Sequence, residues 1–249
     1  MLRSSKFLPL SFALAILALA NLTMFVGCSS SNAQARFVNA IPDSVSTLDF
    51  DIDGTKEFSL AFPQASGSTY IGIPAGTDAI EGFAAGSTTV AFPSQNVSIG
   101  AGSDTTLVAT GFLSGSVTIL NPVDNNTAPA DGNVNFRVID ASPSGPGSVD
   151  VWILPNGNNE SPTNTAPTIS SLSSPSAPTT ATSGYITIPY NSNGLGYNLY
   201  VAPHGSTTAL FNGNPITAGS LSLGTVRTIV LVDGNNTISS TPIVLSDVN

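Results

Sequence analysis

Apolar and polar residues alternate over short runs along most of the chain after residue 35. Each run ends at Gly, Pro, Asn, Asp or Ser, which are the residues that favour turns. Alternation with a period of two is typical of strands that bury one face. In the first part of the chain we count these runs at 35–40, 47–53, 57–62, 69–73, 78–84, 88–92, 96–99, 105–111 and 116–120. Such a density of short strands predicts an all-β fold, and an immunoglobulin-like β-sandwich in particular.

One run, LDFDIDG at 48–54, has two interpretations. Asp49, Asp51 and Asp53 precede Gly54 with the spacing that opens a calcium loop, but position 12 of that loop would be Leu60, so the bidentate carboxylate is missing. Read as a strand, the same residues put the three carboxylates on one outward face, and Asp53-Gly54 is a preferred dipeptide for a two-residue hairpin turn. We therefore predict a strand and a hairpin, and no metal site.

Sequence blocks from the first part of the chain recur in the second part. The matched blocks are 36–42 with 137–143, 48–50 with 149–151, 68–74 with 183–189, 86–89 with 205–208, and 106–111 with 228–233. The blocks keep their order while the offset grows, which indicates a duplicated unit with insertions in the second copy.

The duplication predicts two tandem immunoglobulin-like domains, at 35–120 and 134–249, joined by a Pro- and Gly-containing linker at 121–133. The largest insertion, 156–182, is rich in Ser, Thr, Pro and Asn and is predicted to be a long exposed loop. Two of the few basic residues, Arg36 and Arg137, recur at the same offset as Asp49 and Asp150. This shared spacing predicts an Arg–Asp ion pair between neighbouring strands of each copy.

The repeated motifs resemble those of the bacterial domain-of-unknown-function family 4397. The motifs are the blocks that begin at Arg36 and Arg137, the Val-Asp-Val triplet at 149–151, and the Tyr-Ile-x-Ile-Pro segments at 70–74 and 185–189. The resemblance covers nearly all of residues 35 to 245. It implies an exported or surface protein that carries tandem copies, and it supplies no activity.

The first 27 residues have the layout of a signal peptide, with Arg3 and Lys6 followed by an apolar run to Phe25. The run ends in FVGC, which resembles a bacterial lipobox, so Cys28 is predicted to be lipidated and to begin a polar tether at 28–34. Two alternatives stay open, namely an ordinary signal cleaved after 33–35 and an uncleaved membrane anchor. Cys28 is the only cysteine, so a lipidated protein has no disulfide.

Charge excludes some functions. Only 8% of residues are charged, and the net charge is −9. Because Arg3 and Lys6 lie in the leader, the remaining chain has four basic residues against fifteen acidic ones. Such a surface repels nucleic acid, so no nucleic-acid partner is expected.

Candidate chemistry is sparse. His204 is the only histidine, and neither a zinc site nor a Ser-His-Asp triad can be assembled around it from the sequence pattern. We therefore predict no catalytic, metal-binding or cofactor-binding residues and no enzyme activity. Four tyrosines cluster in the second copy and form either a binding surface or packed strand aromatics, whereas Trp152 is predicted to lie in the core. The tyrosines are Tyr185, Tyr190, Tyr197 and Tyr200.

These features together predict a non-catalytic lipoprotein of the cell envelope, anchored through Cys28 in the outer membrane or at the cell surface. It would act as a binding or structural module displayed from that membrane, with an envelope protein or a glycan as its partner. The alternative is a secreted glycan-binding or glycan-active protein.

Overall fold

A computed structural model describes residues 32–44, 46–177, 180–217, 221–234 and 242–247. The leader and Cys28 lie outside these ranges. The described residues form strands and turns, so the all-β prediction is confirmed. Within them no helix is long and apolar enough to cross a membrane.

The first half of the molecule, residues 32–124, contains nine strands in two sheets. They are β1 (Asn32–Ala40), β2 (Leu48–Ile52), β3 (Thr55–Leu60), β4 (Gln64–Ala65), β5 (Ile71–Pro74), β6 (Gly76–Ala84), β7 (Val90–Ile99), β8 (Asp104–Gly111) and β9 (Val117–Leu120). Sheet A has the order β4-β1-β8-β9, with β5 also paired to β1, and sheet B has the order β3-β2-β6-β7. The sheets enclose an aromatic core in which the rings of Phe37 and Phe50 lie 4.3 Å apart.

The second half, residues 133–247, repeats this strand order. Its strands are β10 (Asn133–Asp140), β11 (Ser148–Pro155), β12 (Ile169–Ser173), β13 (Ile186–Pro189), β14 (Tyr197–Pro203), β15 (Phe211–Ile216), β16 (Val226–Leu231) and β17 (Ile243–Ser246). Sheet C runs β13-β10-β16-β17 and sheet D runs β12-β11-β14-β15. In both halves the first strand pairs in parallel with the equivalent later strand, β1 with β8 and β10 with β16. The sheets thus pack as sandwiches, consistent with the predicted immunoglobulin-like fold.

A third apolar cluster joins the two halves. It contains Val38 and Ala40 of β1 together with Ile139 and Ala141 of β10, whereas Phe37 of β1 points into the core of its own half. Where this cluster lies, sheets A and C are therefore buried on both faces. Contacts group the chain from Asn32 onward into one compact unit.

The β2–β3 hairpin is confirmed. Ile52 pairs with Thr55, and the two residues between them have positive φ, +51° for Asp53 and +78° for Gly54. Positive φ at both central positions defines a type I′ turn, which Asp-Gly favours. The two runs predicted at 88–92 and 96–99 form one strand, β7, and the short strand β4 was not predicted.

The predicted tether at 28–34 is wrong for its last three residues. Strand β1 begins at Asn32, which pairs with Pro74 of β5, and Gln34 pairs with both Gly72 and Asp104. Asn32 and Gln34 are exposed while Ala33 is buried between them. Asn32 and Gln34 are polar because their face of the strand meets water, and both are nevertheless paired within sheet A.

The predicted long loop at 156–182 is wrong at Ile169–Ser173, which form β12 on the edge of β11. Ile169 and Leu172 are buried. They are spaced three apart, because the pairing shifts at this point and Ser171 has a φ of +56°. This irregularity removes the alternation by which a strand is recognised in a sequence.

Candidate functional site

Two arginines are buried between the halves. Arg36 and Arg137 are 0% and 1% exposed and are the largest fully buried side chains among the described residues. They lie at equivalent positions of β1 and β10, on the faces that sheets A and C turn toward each other. A buried guanidinium is stable only when its charge is paired and its donors are satisfied.

Arg36 reaches across to the end of the second half. Its Nε donates to Thr106 Oγ1 of the neighbouring strand at 2.8 Å. Its Nη1 donates to the carbonyl oxygen of Ser246 at 2.6 Å, and its Nη2 donates to Asp247 Oδ1. The ring of Tyr70 covers the guanidinium, 4.9 Å from its central carbon.

Arg137 makes the same contacts in the opposite direction. Its Nε donates to Thr228 Oγ1 at 3.1 Å in its own half. Its Nη1 donates to Val123 O at 3.0 Å and its Nη2 to Asp124 Oδ1, both at the end of the first half. The ring of Tyr185 lies 4.8 Å from its central carbon. Each half therefore supplies an arginine to the other half and an aspartate in return.

Further hydrogen bonds connect the two exchanges into one network. Asp124 also lies 3.3 Å from Arg36 Nη2 and accepts hydrogen bonds from Tyr70 Oη and Thr106 Oγ1. Asp247 accepts from Tyr185 Oη at 2.9 Å and from Thr228 Oγ1 at 2.6 Å. We call this set the arginine cluster, and its members are Arg36, Tyr70, Thr106, Asp124, Arg137, Tyr185, Thr228 and Asp247. Its two arginines balance its two aspartates.

The surroundings shift the pKa values of three members of the arginine cluster. Burial alone would lower the pKa of Arg36, but the charges of Asp124 and Asp247 outweigh it and raise that pKa. Burial and the hydrogen bond to Asp124 raise the pKa of Tyr70, and burial raises that of Tyr185. The phenols therefore stay protonated as donors, and the cluster links the two halves.

The predicted ion pairs Arg36–Asp49 and Arg137–Asp150 are wrong. Strands β1 and β2 belong to different sheets, and Arg36 faces away from sheet B, where Asp49 lies. The same separation holds for Arg137 in sheet C and Asp150 in sheet D. The shared offset correctly matched Arg36 with Arg137 and Asp49 with Asp150 as equivalent residues. It did not show that each arginine contacts the aspartate of its own copy.

Asp49 and Asp150 instead fix a repeated turn. Asp49 Oδ2 accepts from the backbone nitrogen of Gly86, and Asp150 Oδ2 accepts from that of Gly205, both at 2.9 Å. Each glycine opens one of the two GSTT segments that the repeat analysis paired. Hydrogen bonds from Ser59 and Gly86 lower the pKa of Asp49. Burial opposes the effect at Asp150, but its bonds from His204 and Gly205 outweigh burial and lower that pKa as well.

An exposed basic side chain lies beside each of these aspartates. Lys56 Nζ lies 3.5 Å from Asp49, and His204 Nδ1 lies 2.8 Å from Asp150 Oδ1. His204 is half-exposed in the turn that Asp150 holds. Among the described residues there is no group of three or more potential metal ligands. Leu48, Phe50 and Ile52 lie in the core, so the three aspartates lie on the opposite face of β2 and its turn, but only two of them meet water. Asp51 is partly exposed and Asp53 is exposed, whereas Asp49 is only 5% exposed.

The four candidate tyrosines do not form one surface. Tyr197 is fully buried and its Oη donates to Pro189 O at 2.5 Å, and Tyr185 belongs to the arginine cluster. Tyr190 packs on the core of the second half, whereas Tyr200 packs beside the buried Trp152. The binding-surface interpretation is therefore wrong for Tyr197, whereas Tyr185 is partly exposed while its ring covers Arg137. Trp152 is buried as predicted, and its Nε1 donates to Thr165 O at 2.9 Å.

Sequence reasoning missed Asp124 and Asp247. Asp124 was placed in the linker 121–133, but its backbone nitrogen bonds to Asp104 O at 2.7 Å, which extends the edge of sheet A. Both aspartates follow the last strand of their half, but at different distances: Asp124 lies four residues after β9 and Asp247 one residue after β17. The sequence therefore offered no common spacing by which to find them.

An open pocket of about 300 Å³ lies where the two halves meet. The first half contributes residues between Gly111 and Thr118, including Phe112, and the second half contributes Pro143 and the segment 174–176. We call this the inter-half pocket. Its lining is neutral, with apolar, glycine and hydroxyl side chains.

Comparison with known families identifies part of the chain. Residues 33–152 match the family described as Domain of unknown function (DUF4397), so a domain of this family lies there. The match covers the strands of the first half and continues through β10 into β11. No curated protein matches the chain.

Proposed function

We propose that this protein is a non-catalytic lipoprotein of the cell envelope, displayed from the outer membrane or the cell surface by a lipid on Cys28. Its two sandwiches serve as a binding or structural module for an envelope protein or a glycan. We further propose that the second half is another copy of the DUF4397 unit, because it repeats the strand order of the first half.

The position of Asn32 carries this proposal. Strand β1 begins there, only four residues after Cys28. Four extended residues reach at most about 14 Å, so a lipid on Cys28 would hold the folded body directly at the membrane. Cleavage after 33–35 would instead remove the start of β1, which pairs with both β5 and β8. The strand boundary therefore favours processing at Cys28.

The use of the polar residues supports a structural or binding role. The two buried arginines and both of their aspartates are committed to joining the halves. Asp49 and Asp150 are committed to the turns. These buried charged interactions thus maintain the architecture.

Metabolic labelling with an alkyne fatty acid tests the anchor. The full chain is expressed in a bacterial host as the wild type, Cys28→Ala and the control Ser29→Ala. We expect the label in the wild type and in Ser29→Ala, and its loss in Cys28→Ala, which should also leave the membrane fraction. Retained label or membrane retention of Cys28→Ala would contradict lipid anchoring at this residue.

A further inference from the structure

The inter-half pocket borders a short segment, residues 141–144, that connects to both halves. Pro143 lines the pocket. Ala141 O accepts a hydrogen bond from Thr110 Oγ1 of the first half at 2.7 Å. The conformation of this segment therefore sets one wall of the pocket.

Two buried carboxyl groups of the second half accept hydrogen bonds from this segment. Asp140 is 0% exposed, and its Oδ1 accepts from the backbone nitrogen of Ser142 at 3.0 Å. Asp233 is 2% exposed and accepts from Ser142 Oγ and, at 3.2 Å, from the backbone nitrogen of Ser144. Asp140 Oδ2 is buried without a hydrogen-bond partner. Such an oxygen is strongly disfavoured when it carries a negative charge.

In the first half, a neutral amide side chain occupies the position of Asp140. Asn39 is equivalent to Asp140, and its Oδ1 accepts from the nitrogen of Ile41 at 3.1 Å, as Asp140 Oδ1 does from Ser142. The amide nitrogen of Asn39 is neutral and donates to Leu60 O at 3.0 Å. Gly111 stands at the position of Asp233, so the first half has no second carboxylate here. A protonated Asp140 reproduces the neutral character of Asn39, and a charged one does not.

The electrostatic surroundings of Asp140 are simple. Burial, reinforced by the charge of Asp233, raises the pKa of Asp140 to about 7, against the opposing hydrogen bond from Ser142. The segment packed against its backbone contributes Ala181 and Thr182, and the first half contributes Thr110. None of these three residues titrates. Asp233 is thus the charged group of the described residues that acts on Asp140.

We propose that Asp140 is a proton-binding site that couples the segment 141–144, and with it the inter-half pocket, to pH. With the proton bound, the segment is closed on both halves. When the proton leaves, two negative carboxylates are buried around Ser142, and the segment loosens. The pocket wall is then firm in acid and mobile at higher pH.

The direction of the effect follows from linkage. In an open segment Asp140 is solvated and has an ordinary value near 4, whereas in the closed segment the pKa is about 7. The closed form therefore binds more protons between these limits, and its stability falls as pH rises through that window. Opening should increase by up to about tenfold per pH unit and level off above pH 7.

Hydrogen exchange of the peptide that contains 141–147, corrected for intrinsic rates between pH 4.5 and 8, tests this coupling. We expect wild-type protection to fall with pH and Asp140→Asn to remain protected throughout. Asp78→Asn is the matched control, because Asp78 is also buried with an unpartnered Oδ2 but lies in the first half. In this variant the peptide should respond to pH as in the wild type.

Three results would overturn the proposal. An unchanged pH response in Asp140→Asn would show that another group controls the segment. Equal loosening of all peptides with pH would show a global effect instead of a local one. Restored protection at pH 8 on adding Ca²⁺ or Mg²⁺ would show that the carboxyls hold a cation and not a proton.

Discussion

The two halves share a strand order and the residues that join them, yet they differ at the ends of their first strands, near the inter-half pocket. Arg36 and Arg137 have the same set of partners, each taking its aspartate from the other half. Three residues further along the same strands, Asn39 in one half occupies the position that Asp140 has in the other. Both halves therefore keep the arginine and aspartate that they exchange. The residue at the end of the first strand, near the inter-half pocket, differs between them.

The largest expected effect is the loss of Asp124. Asp124 pairs with both arginines, whereas Asp247 pairs with Arg36. Asp124→Asn should lower the free energy of unfolding by about 3–5 kcal/mol, since it leaves buried guanidinium charge unpaired. Asp247→Asn should lower it less, because Arg36 keeps Asp124. Urea denaturation measures both values, and a smaller loss for Asp124→Asn would contradict the shared role of this carboxylate.

Next in size are the turn aspartates, which should act equally in the two halves. Asp49→Asn and Asp150→Asn should each lower the free energy of unfolding by about 1–2 kcal/mol, because each weakens hydrogen bonds to a buried carboxylate. If the two losses of unfolding free energy differ by more than about 1 kcal/mol, Lys56 and His204 do not contribute equally to these sites.

These two aspartates also predict an acid dependence of stability. Their pKa values are lowered in the folded protein, so the unfolded chain binds their protons first as pH falls. The stabilisation is fully present above about pH 4 and is lost as pH falls through the lower folded pKa values. Unfolding measured between pH 2 and 5 should show a shallower decline in Asp150→Asn than in the wild type, and an identical decline would exclude this carboxylate as a source.

A smaller effect is expected at the hairpin that only the first half contains. Gly54 has a φ of +78° with open space around it, so Gly54→Ala should cost about 1 kcal/mol from backbone strain alone. Gly72 also has open space but lacks positive φ, so Gly72→Ala is the matched control and should not destabilise. Thermal unfolding separates the two variants, and equal melting temperatures would contradict the type I′ turn.

The smallest effect is expected for Asp51. Its side chain is partly exposed on β2, and Leu60, at the twelfth position of a calcium loop that starts at Asp49, supplies no ligand. Asp51→Asn should change the free energy of unfolding by less than about 0.5 kcal/mol. Titration calorimetry should detect no saturable calcium binding below about 1 mM, the weak limit of extracellular calcium sites. Saturable binding that disappears in Asp51→Asn would restore the calcium interpretation of LDFDIDG.

Local patterns predicted local structure well in this chain. Alternation located most strands of the first half, and Asp53-Gly54 located the hairpin turn, because both signals arise from neighbouring residues. The repeat blocks predicted equivalent strands for the same reason. Strand β12 was missed because the positive φ of Ser171 interrupts its alternation.

The candidate site depended on contacts between distant residues. Arg36 and Asp247 are 211 positions apart, and no spacing rule links a strand residue to the end of another half. Tyr185 and Tyr197 are close in sequence but point into different surroundings, one into the arginine cluster and one into a core. The sequence showed which residues recur, while the packing of sheet A on sheet C determines which of them meet.

The central claim is that the exchange of arginines and aspartates makes the two sandwiches one cooperative unit. Differential scanning calorimetry of the intact folded protein tests it most directly. We expect a single transition whose calorimetric and van't Hoff enthalpies agree, and which Asp124→Asn moves as a whole to lower temperature. Two separate transitions in the wild type, of which Asp124→Asn shifts only one, would contradict it.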